Sequence, residues 1–200
     1  MSGLQHTLFG EGAPRVDAGF QRLRHLDLGD GAWVDHCAGW LSGQAAVYDA
    51  LRFGTQWKAQ QREMYDRIVD VPRLTANLPE DGPGHPLLAA ASAALSHRYR
   101  APLVSVSLAW YRGGDDSVAW HGDRLAEGVS DPTIAIVSLG GPRAFRLRPK
   151  GGGRAIGWTV GQGDLLVMGG SSQRTWDHAV PKEPGAPPRI ALMFRPVGVD

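Results

Sequence analysis

A mainly β fold of the α+β class is predicted by three features of this chain: its turn residues, its short apolar runs and the position of its helix signals. The 200 residues include 27 Gly and 14 Pro, an excess that favours many turns. Beyond Pro102, short apolar or alternating runs are separated by glycine and proline, which is typical of a sandwich or jelly roll. The predicted strands there are residues 103–108, 134–138, 144–147, 164–168 and 190–194.

Helix signals fall mostly in the first half of the chain. Asp30 and Ser42 are good N-caps for helices over residues 30–41 and 44–52. Proline suits the first turn of a helix, so a further helix is predicted over Pro86–Tyr99. We expect these helices to pack against one sheet of the jelly roll.

One domain over residues 21–200 is expected, after a glycine-rich and poorly patterned arm at 1–20. Within the domain, residues 21–100 should supply the helices and residues 101–200 the jelly-roll core. Weakly alternating segments in the first part also predict extended structure, at residues 22–28, 55–61 and 64–69.

Composition narrows the classes of function. The formal net charge of +1 gives no overall basic field of the kind that indicates nucleic-acid binding. The single cysteine, Cys37, excludes an intramolecular disulfide, suits a reducing cytosol and is expected to be a small buried hydrophobe. No signal peptide or membrane-length apolar run is present, so we expect a cytoplasmic protein. We also expect it to be a monomer. Basic residues do cluster locally, which is typical of a solvated strand face or of a local binding patch: Arg143, Arg146, Arg148, Lys150 and Arg154.

A candidate metal site is indicated by His121, Asp123 and a later His178. In an extended segment, residues two apart point the same way, so His121 and Asp123 can reach one ion together. Two neutral imidazoles and one carboxylate hold non-haem Fe(II) and leave positions open for substrate and oxygen. The alternative is a surface dipeptide and an unrelated histidine, because this spacing is common by chance.

Two arginines strengthen the metal interpretation. Arg189 and Arg195 stand at the two ends of a predicted strand, six residues apart, so both should face the same side. Inward arginines on an apolar strand cost desolvation energy unless an anion is present, and the planar guanidinium suits a carboxylate. The pattern therefore predicts a small dicarboxylate beside the metal, such as 2-oxoglutarate. The alternative is that both arginines extend to solvent.

Seven stretches of the chain resemble the AlkB family of Fe(II)- and 2-oxoglutarate-dependent dioxygenases, most of all its nucleic-acid demethylases. The resemblance covers about residues 65–197 and implies a double-stranded β-helix core with an N-terminal lid over the base pocket. It also implies O2 as a co-substrate and alkylated DNA or RNA as the partner, with DNA the first expectation. The stretches are residues 71–76 (VPRLTA), 111–123 (YRGGDDSVAWHGD), 134–140 (IAIVSLG), 143–148 (RAFRLR), 164–169 (DLLVMG), 176–182 (WDHAVPK) and 188–195 (PRIALMFR).

The resemblance implies roles for particular residues in this chain. His121, Asp123 and His178 would bind iron. Arg189 and Tyr111 would hold the distal carboxylate of 2-oxoglutarate, and the second arginine, at position 195, would hold the end that chelates iron. Family members oxidise an N-methyl group on a flipped base, which is then released as formaldehyde.

Substrate contacts are expected from five further residues. The resemblance assigns Arg73 to the substrate-binding wall. Met64 and Tyr65, in the predicted lid, could contact an extruded base, with ordinary packing as the alternative. Trp176 should share a face with the histidine two residues later and shape the pocket, although core packing is again the alternative. Arg124 follows the HxD motif directly.

The chain departs from the family pattern at three positions near the site. Ala109 and Ala191 stand where many members carry Asn, and both positions serve the co-substrate. Leu125 stands near the HxD motif, where relatives often place an acidic residue that reads the base edge. Leucine cannot hydrogen-bond a base, so the reaction type is predicted more firmly than the base.

Three functions therefore remain open. The first is oxidative demethylation of bases such as 1-methyladenine or 3-methylcytosine, with release of formaldehyde, succinate and CO2. The second is an oxygenase of the same fold that acts on a protein or a small molecule, which the near-neutral charge and Leu125 favour. The third is a metal-stabilised β-sandwich that only binds.

Overall fold

The computed structural model describes residues 12–64, 67–78 and 85–199, with the backbone alone at 60–64 and 67–70. Its helices are α1 (Gln44–Gly54), α2 (Pro86–Tyr99) and the short α3 (Ser172–Thr175). Its strands are β1 (Arg15–Val16), β2 (Leu23–Gly29), β3 (Ala32–Cys37), β4 (Leu41–Ser42), β5 (Lys58–Met64), β6 (Arg67–Asn77), β7 (Ser105–Tyr111), β8 (Val118–His121), β9 (Ile134–Gly140), β10 (Arg143–Pro149), β11 (Ile156–Val160), β12 (Leu165–Gly170), β13 (Trp176–Val180) and β14 (Arg189–Arg195).

Two antiparallel sheets form the body of the molecule. The larger sheet has eight strands in the order β2-β3-β12-β9-β14-β7-β6-β5, and the smaller has four in the order β11-β10-β13-β8. A two-stranded ribbon of β1 and β4 lies apart from both. Because four strands of the larger sheet come from the first half of the chain, the two halves share one sheet. The predicted jelly roll of the α+β class is confirmed.

Two hydrophobic clusters lie on opposite faces of the larger sheet. The inner cluster joins residues of both sheets, among them Tyr111, Phe145 and Met168. The outer cluster joins the other face of the larger sheet to α1 and α2, through residues such as Tyr48 and Leu88. The helices therefore cover one sheet, as predicted. The smaller sheet keeps an outer face on which neither helix packs.

The helix predicted over residues 30–41 is wrong, because this segment contains β3. Gly29, Asp30 and Gly31 all have positive φ angles, of 84°, 52° and 76°. Such angles suit the tight turn of a β-hairpin, in which Asp30 cannot act as an N-cap. β3 then pairs with β2 on one side and β12 on the other.

The N-terminal segments differ from the prediction in two further respects. A helix does begin at Gln44, but its N-cap is Gly43, and Ser42 instead donates from its hydroxyl to the Arg15 carbonyl. Part of the predicted loose arm belongs to the fold, because β1 pairs with β4 and Phe20 is buried in the outer cluster. The remaining arm residues, 1–11, lie outside the described residues.

The other predicted elements overlap observed ones. The extended segments at 22–28, 55–61 and 64–69 overlap β2, β5 and β6, with residues 65–66 outside the described residues. The helix over Pro86–Tyr99 is confirmed, and the five strands predicted beyond Pro102 overlap β7, β9, β10, β12 and β14. The short strands β8, β11 and β13 were missed because polar and small residues interrupt their apolar pattern. Cys37 is buried, as predicted. Within the described residues, no helix is both long enough and apolar enough to cross a membrane. Cytoplasmic location, monomeric state and single-domain organisation stay predictions.

Candidate metal centre

His121, Asp123 and His178 come together where β8 and β13 pair. His178 stands directly opposite His121 in the register, and their ring centroids are 4.2 Å apart. Asp123 follows β8 by two residues, and its Oδ1 lies 3.5 Å from His178 Nε2. One candidate ligand atom from each of the three residues lies within 4.8 Å of the others. The three side chains could therefore hold one ion.

The environment keeps both imidazoles in the form that binds a metal. Burial lowers the pKa of His178 to about 3, and it also lowers the pKa of His121. His121 Nδ1 lies 2.8 Å from the Ala119 carbonyl oxygen, which can only accept, so Nδ1 carries the proton and Nε2 keeps its lone pair. Two neutral imidazoles with one carboxylate fit Fe(II) and leave coordination positions open.

Arg195 connects this triad to the neighbouring strand. Its Nε donates to Asp123 Oδ2 at 3.1 Å, and its Nη1 donates to the Ser107 hydroxyl at 2.6 Å. The two carboxylate oxygens of Asp123 thus face different partners, one towards His178 and one towards Arg195. An anion bound to Arg195 would therefore lie beside the metal ligands.

Arg189 is buried deeper on the same strand and has unused hydrogen-bonding capacity. Its Nε and Nη2 donate to the Ser138 hydroxyl at 3.2 and 2.7 Å. Its Nη1 is buried without a hydrogen-bond partner among the described residues. Burial lowers the pKa of Arg189, because an apolar surrounding disfavours the charged guanidinium. A carboxylate delivered to Nη1 would supply the missing partner, so the site fits a dicarboxylate.

Tyr111 lies directly opposite Arg189 in the register of β7 and β14. The guanidinium carbon of Arg189 is 5.4 Å from the centroid of the tyrosine ring. A second buried arginine, Arg143, approaches the same ring at 5.6 Å. Unlike Arg189, it donates to three backbone carbonyls, those of Gly113, Asp116 and Pro181. Arg143 therefore holds two loops together, whereas Arg189 is left available to a ligand.

The predicted substrate residues differ in how they relate to the triad. Arg73, partly buried in β6, is close enough for its charge to lower the pKa of both histidines. Trp176 begins β13 and packs against the inner cluster, two residues before His178. Arg124 is exposed beside Asp123. The predictions for Met64 and Tyr65 fall outside what is described, since only the backbone of the first is given.

Comparison with known proteins agrees with this geometry. The model of the 2OG-Fe(II) oxygenase superfamily matches residues 83–195, where 2OG denotes 2-oxoglutarate. The chain belongs to this superfamily. Its curated relatives place it in the AlkB branch, which confirms the family predicted from the seven stretches. The cofactor of the superfamily is Fe(II), and its co-substrates are 2-oxoglutarate and O2.

Three relatives illustrate the similarity. The alpha-ketoglutarate-dependent dioxygenase alkB homolog 3 of Bos taurus is 31% identical over 188 residues, which is 82% of this chain and 66% of that protein. The human protein of the same name is 32% identical over 77% of this chain and 62% of its own length. The DNA oxidative demethylase ALKBH2 of Arabidopsis thaliana is 35% identical over 46% of this chain and 37% of its own length. The chain thus spans less than two thirds of these relatives' own length.

Several residues that support the site were not predicted from the sequence. Ser138 is the single hydroxyl in a strand that is otherwise apolar and glycine, a signal that could have been noticed. Ser107 lies on the same face of β7 as Tyr111, four residues away, which also follows from strand periodicity. Gln173 carries no comparable signal, because only the folded chain brings α3 beside Asp123.

Gln173 links the two segments that carry the metal-binding candidates. Its side-chain Oε1 accepts from the Asp123 backbone N–H at 3.0 Å, and α3 leads directly into the strand that carries His178. Its backbone carbonyl accepts from Lys150 Nζ at 2.7 Å. Gln173 is almost fully buried, so the acceptor has no ready replacement. We infer that Gln173 is a positioning residue for Asp123.

Gln173→Leu is expected to weaken metal binding by about 10- to 100-fold, the usual effect of losing a group that orients a ligand. Leucine fills the space but leaves the Asp123 N–H unpaired. Titration with Co(II), followed by its visible absorption, measures the affinity. Gln44→Leu is the matched control, since Gln44 Oε1 accepts from the Gly140 N–H at 2.7 Å, away from the triad. Equal metal affinity in both variants would contradict the positioning role.

Proposed function

We propose that this chain is an Fe(II)- and 2-oxoglutarate-dependent dioxygenase that oxidatively demethylates N-alkylated bases in DNA or RNA. The substrates are of the 1-methyladenine and 3-methylcytosine type, and the products are formaldehyde, succinate and CO2. The observation that carries the proposal is the buried arginine with an unpartnered nitrogen on the strand that also carries Arg195, beside the His121–Asp123–His178 triad. DNA is the first choice because one relative is named a DNA oxidative demethylase.

The triad residues hold the iron in this proposal. His121 and His178 supply neutral imidazole nitrogens, and Asp123 supplies one carboxylate oxygen. When bound, the iron supplies oxidation chemistry: O2 and 2-oxoglutarate are consumed, one methyl C–H bond becomes C–OH, and the acid becomes succinate and CO2. Loss of the hydroxylated carbon as formaldehyde then leaves the unmethylated base.

The two arginines orient the co-substrate. Arg189 Nη1, together with the Tyr111 hydroxyl, holds the distal carboxylate in the buried part of the site. Arg195 holds the carboxylate nearer the metal while its Nε remains on Asp123. Both guanidinium groups are already fixed by serine hydroxyls, so little side-chain entropy is lost when the dicarboxylate binds.

The substrate base must leave its stack to reach a site between two sheets. Trp176 packs against the inner cluster two residues before His178, the charge of Arg73 acts on His121, and Arg124 is exposed beside Asp123. These positions support the proposal that the three residues line the path of the base. Met64 and Tyr65 are proposed to contact the extruded base. Unpaired or single-stranded methylated bases should be preferred, because they avoid the cost of unpairing.

A synthetic oligonucleotide with one 1-methyladenine or 3-methylcytosine tests the proposal. Incubated with Fe(II), ascorbate and 2-oxoglutarate, it should lose about 14 Da, the mass of one CH2 unit, with an equivalent of succinate formed. Parallel DNA and RNA oligonucleotides distinguish the two substrates. Succinate formed without any mass change would reject the nucleic-acid substrate and favour an oxygenase of proteins or small molecules. Neither product would reject the enzyme.

A further inference from the structure

The outer face of the smaller sheet carries a group of cations that the catalytic proposal does not use. Along β10, Phe145 and Leu147 enter the inner cluster, so Arg146 and Arg148 between and beside them point outward. We call Arg146, Arg148, Lys150, Arg154 and Trp120 the outer basic face. Helices α1 and α2 both pack on the other sheet, and the short α3 contacts this one where it leads into β13.

Arg148 lies over an aromatic ring. Its guanidinium carbon lies 4.3 Å from the centroid of Trp120, close enough for a cation–π contact. Its Nε is buried without a hydrogen-bond partner in the described part of the chain, and its nearest carboxylate, Asp177, is 3.9 Å away. A guanidinium fixed in this way keeps its charge and its outer N–H groups available to a phosphate.

Arg146 and Arg154 extend the face on either side of Arg148. The Arg146 side chain lies across Gly157 on the neighbouring strand, where an added Cβ would be 2.6 Å from its Nη1. Arg154 follows three glycines with positive φ in the loop between β10 and β11. Both arginines are exposed, and the described residues include no carboxylate paired with either.

The outer basic face is continuous with the edge of the metal centre. Leu147 pairs with His178, and His178 pairs with His121, so these three residues form a row across the smaller sheet. Arg148 and Trp120 are adjacent in sequence to the two ends of this row and point to the opposite face of the sheet. Lys150 completes the connection. Its Nζ would lie 3.2 Å from a Cβ added at Gly122, between two of the candidate metal ligands.

We propose that the outer basic face binds the phosphate backbone of the nucleic-acid strand whose base enters the metal centre. This inference rests on the proposed function. The face carries four cations, and Asp177 is a carboxylate 3.9 Å from one of them, Arg148. This local charge contrasts with the net charge of the whole chain, which is only +1. Such local excess positive charge attracts a polyanion, and the partly exposed Trp120 beside Arg148 is suited to a neighbouring sugar or base.

Salt-dependent binding of an unmethylated single-stranded oligonucleotide tests the surface without any turnover. The variant Arg146→Gln/Arg154→Gln removes two exposed charges. Each phosphate contact on a single strand contributes about 0.7 to the slope of log affinity against log salt, so the slope should fall by about 1.4 and binding at 0.1 M salt should weaken about tenfold or more. Fluorescence anisotropy across a salt series measures both.

Arg15→Gln/Arg98→Gln is the matched control. It removes the same charge from exposed positions in β1 and α2, on the helix-covered side, and should leave the slope unchanged. An unchanged slope in the Arg146/Arg154 variant, or an equal loss in the control, would overturn the docking surface. Demethylation by the unsubstituted chain is measured separately. If it occurs while the slope of the Arg146/Arg154 variant is unchanged, the docking surface is rejected and the proposed function is kept. If the unsubstituted chain did not demethylate but the Arg146/Arg154 variant still showed the smaller salt slope, the docking surface would be supported and the proposed function rejected.

Discussion

Arg189→Met is expected to abolish most binding of 2-oxoglutarate while leaving the folded chain at least as stable as before. Loss of one partner from a buried, hydrogen-bonded charge pair costs about 2–5 kcal/mol, which is roughly 30- to 4,000-fold in affinity. Isothermal titration of 2-oxoglutarate into the Mn(II)-loaded chain measures this loss without oxidation. Thermal unfolding of the same variant without co-substrate measures its stability.

Arg189→Met is expected to leave the free energy of unfolding unchanged or raised. Arg189 is fully buried, its Nη1 has no partner among the described residues, and burial lowers its pKa. A buried charge with incomplete hydrogen bonding costs free energy, and an apolar side chain of similar volume is often neutral or stabilising in its place. A binding residue can therefore be distinguished from a structural one by the direction of the stability change.

Arg143→Met supplies the comparison. Arg143 is also fully buried and contacts the same tyrosine ring, but its guanidinium donates to three backbone carbonyls from two loops. Its loss should destabilise the chain by several kcal/mol, because hydrogen bonds from a charged group contribute about 1.5–3 kcal/mol each. If Arg189→Met kept its affinity for 2-oxoglutarate, or lost stability as Arg143→Met does, the co-substrate role would be rejected.

The contrast between these two arginines shows what the sequence could predict about the site. Each begins a strand, Arg143 in β10 and Arg189 in β14. The even spacing of Arg189 and Arg195 was enough to predict that they share a face. Nothing local distinguishes a guanidinium that meets three carbonyls from one that meets a single hydroxyl. That difference depends on loops about 30 and 38 residues away from Arg143 in the chain.

The error at residues 30–41 has a similar cause. Asp30 is a good N-cap by residue type, and the segment after it has mixed polarity. The turn Gly29-Asp30-Gly31 was the better local signal, since consecutive positive φ angles favour a hairpin. The resulting strand, β3, pairs with β12, which lies about 130 residues later in the chain. This pairing stabilises the extended conformation of the segment. Local preference was outweighed by a long-range sheet contact.

Strand pairing brings together two of the three departures from the family pattern. Ala109 and Ala191 stand directly opposite each other in β7 and β14. On each strand they are two residues from the Tyr111–Arg189 pair, and so they share its face of the sheet. Both are almost fully buried in the inner cluster. The two small residues therefore affect the same part of the wall between the arginines. In the proposed function, co-substrate contacts there would depend on the two arginines and on Ser138 and Ser107, whose hydroxyls accept from them.

His178→Ala is expected to reduce metal affinity at least 100-fold, more than the roughly 10- to 100-fold effect of losing an orienting group. His178 is buried and lies opposite His121, so alanine removes a ligand that water reaches poorly. Co(II) titration measures the affinity, and demethylation and succinate formation should both disappear. His36→Ala, on β3, is the control and should bind metal normally.

A pH series on the metal-free chain gives the same variant a second, independent measurement. Burial lowers the pKa of His178 to about 3, below its value of about 6.5 in an unfolded chain. Between these values the unfolded state binds more protons than the folded state, so the free energy of unfolding of the unsubstituted chain should fall as pH decreases from 6.5 towards 3. His178→Ala removes that contribution and should show a shallower fall. Parallel curves for the two proteins would contradict burial of a neutral imidazole at this position, and with it the protonation state that a metal ligand requires.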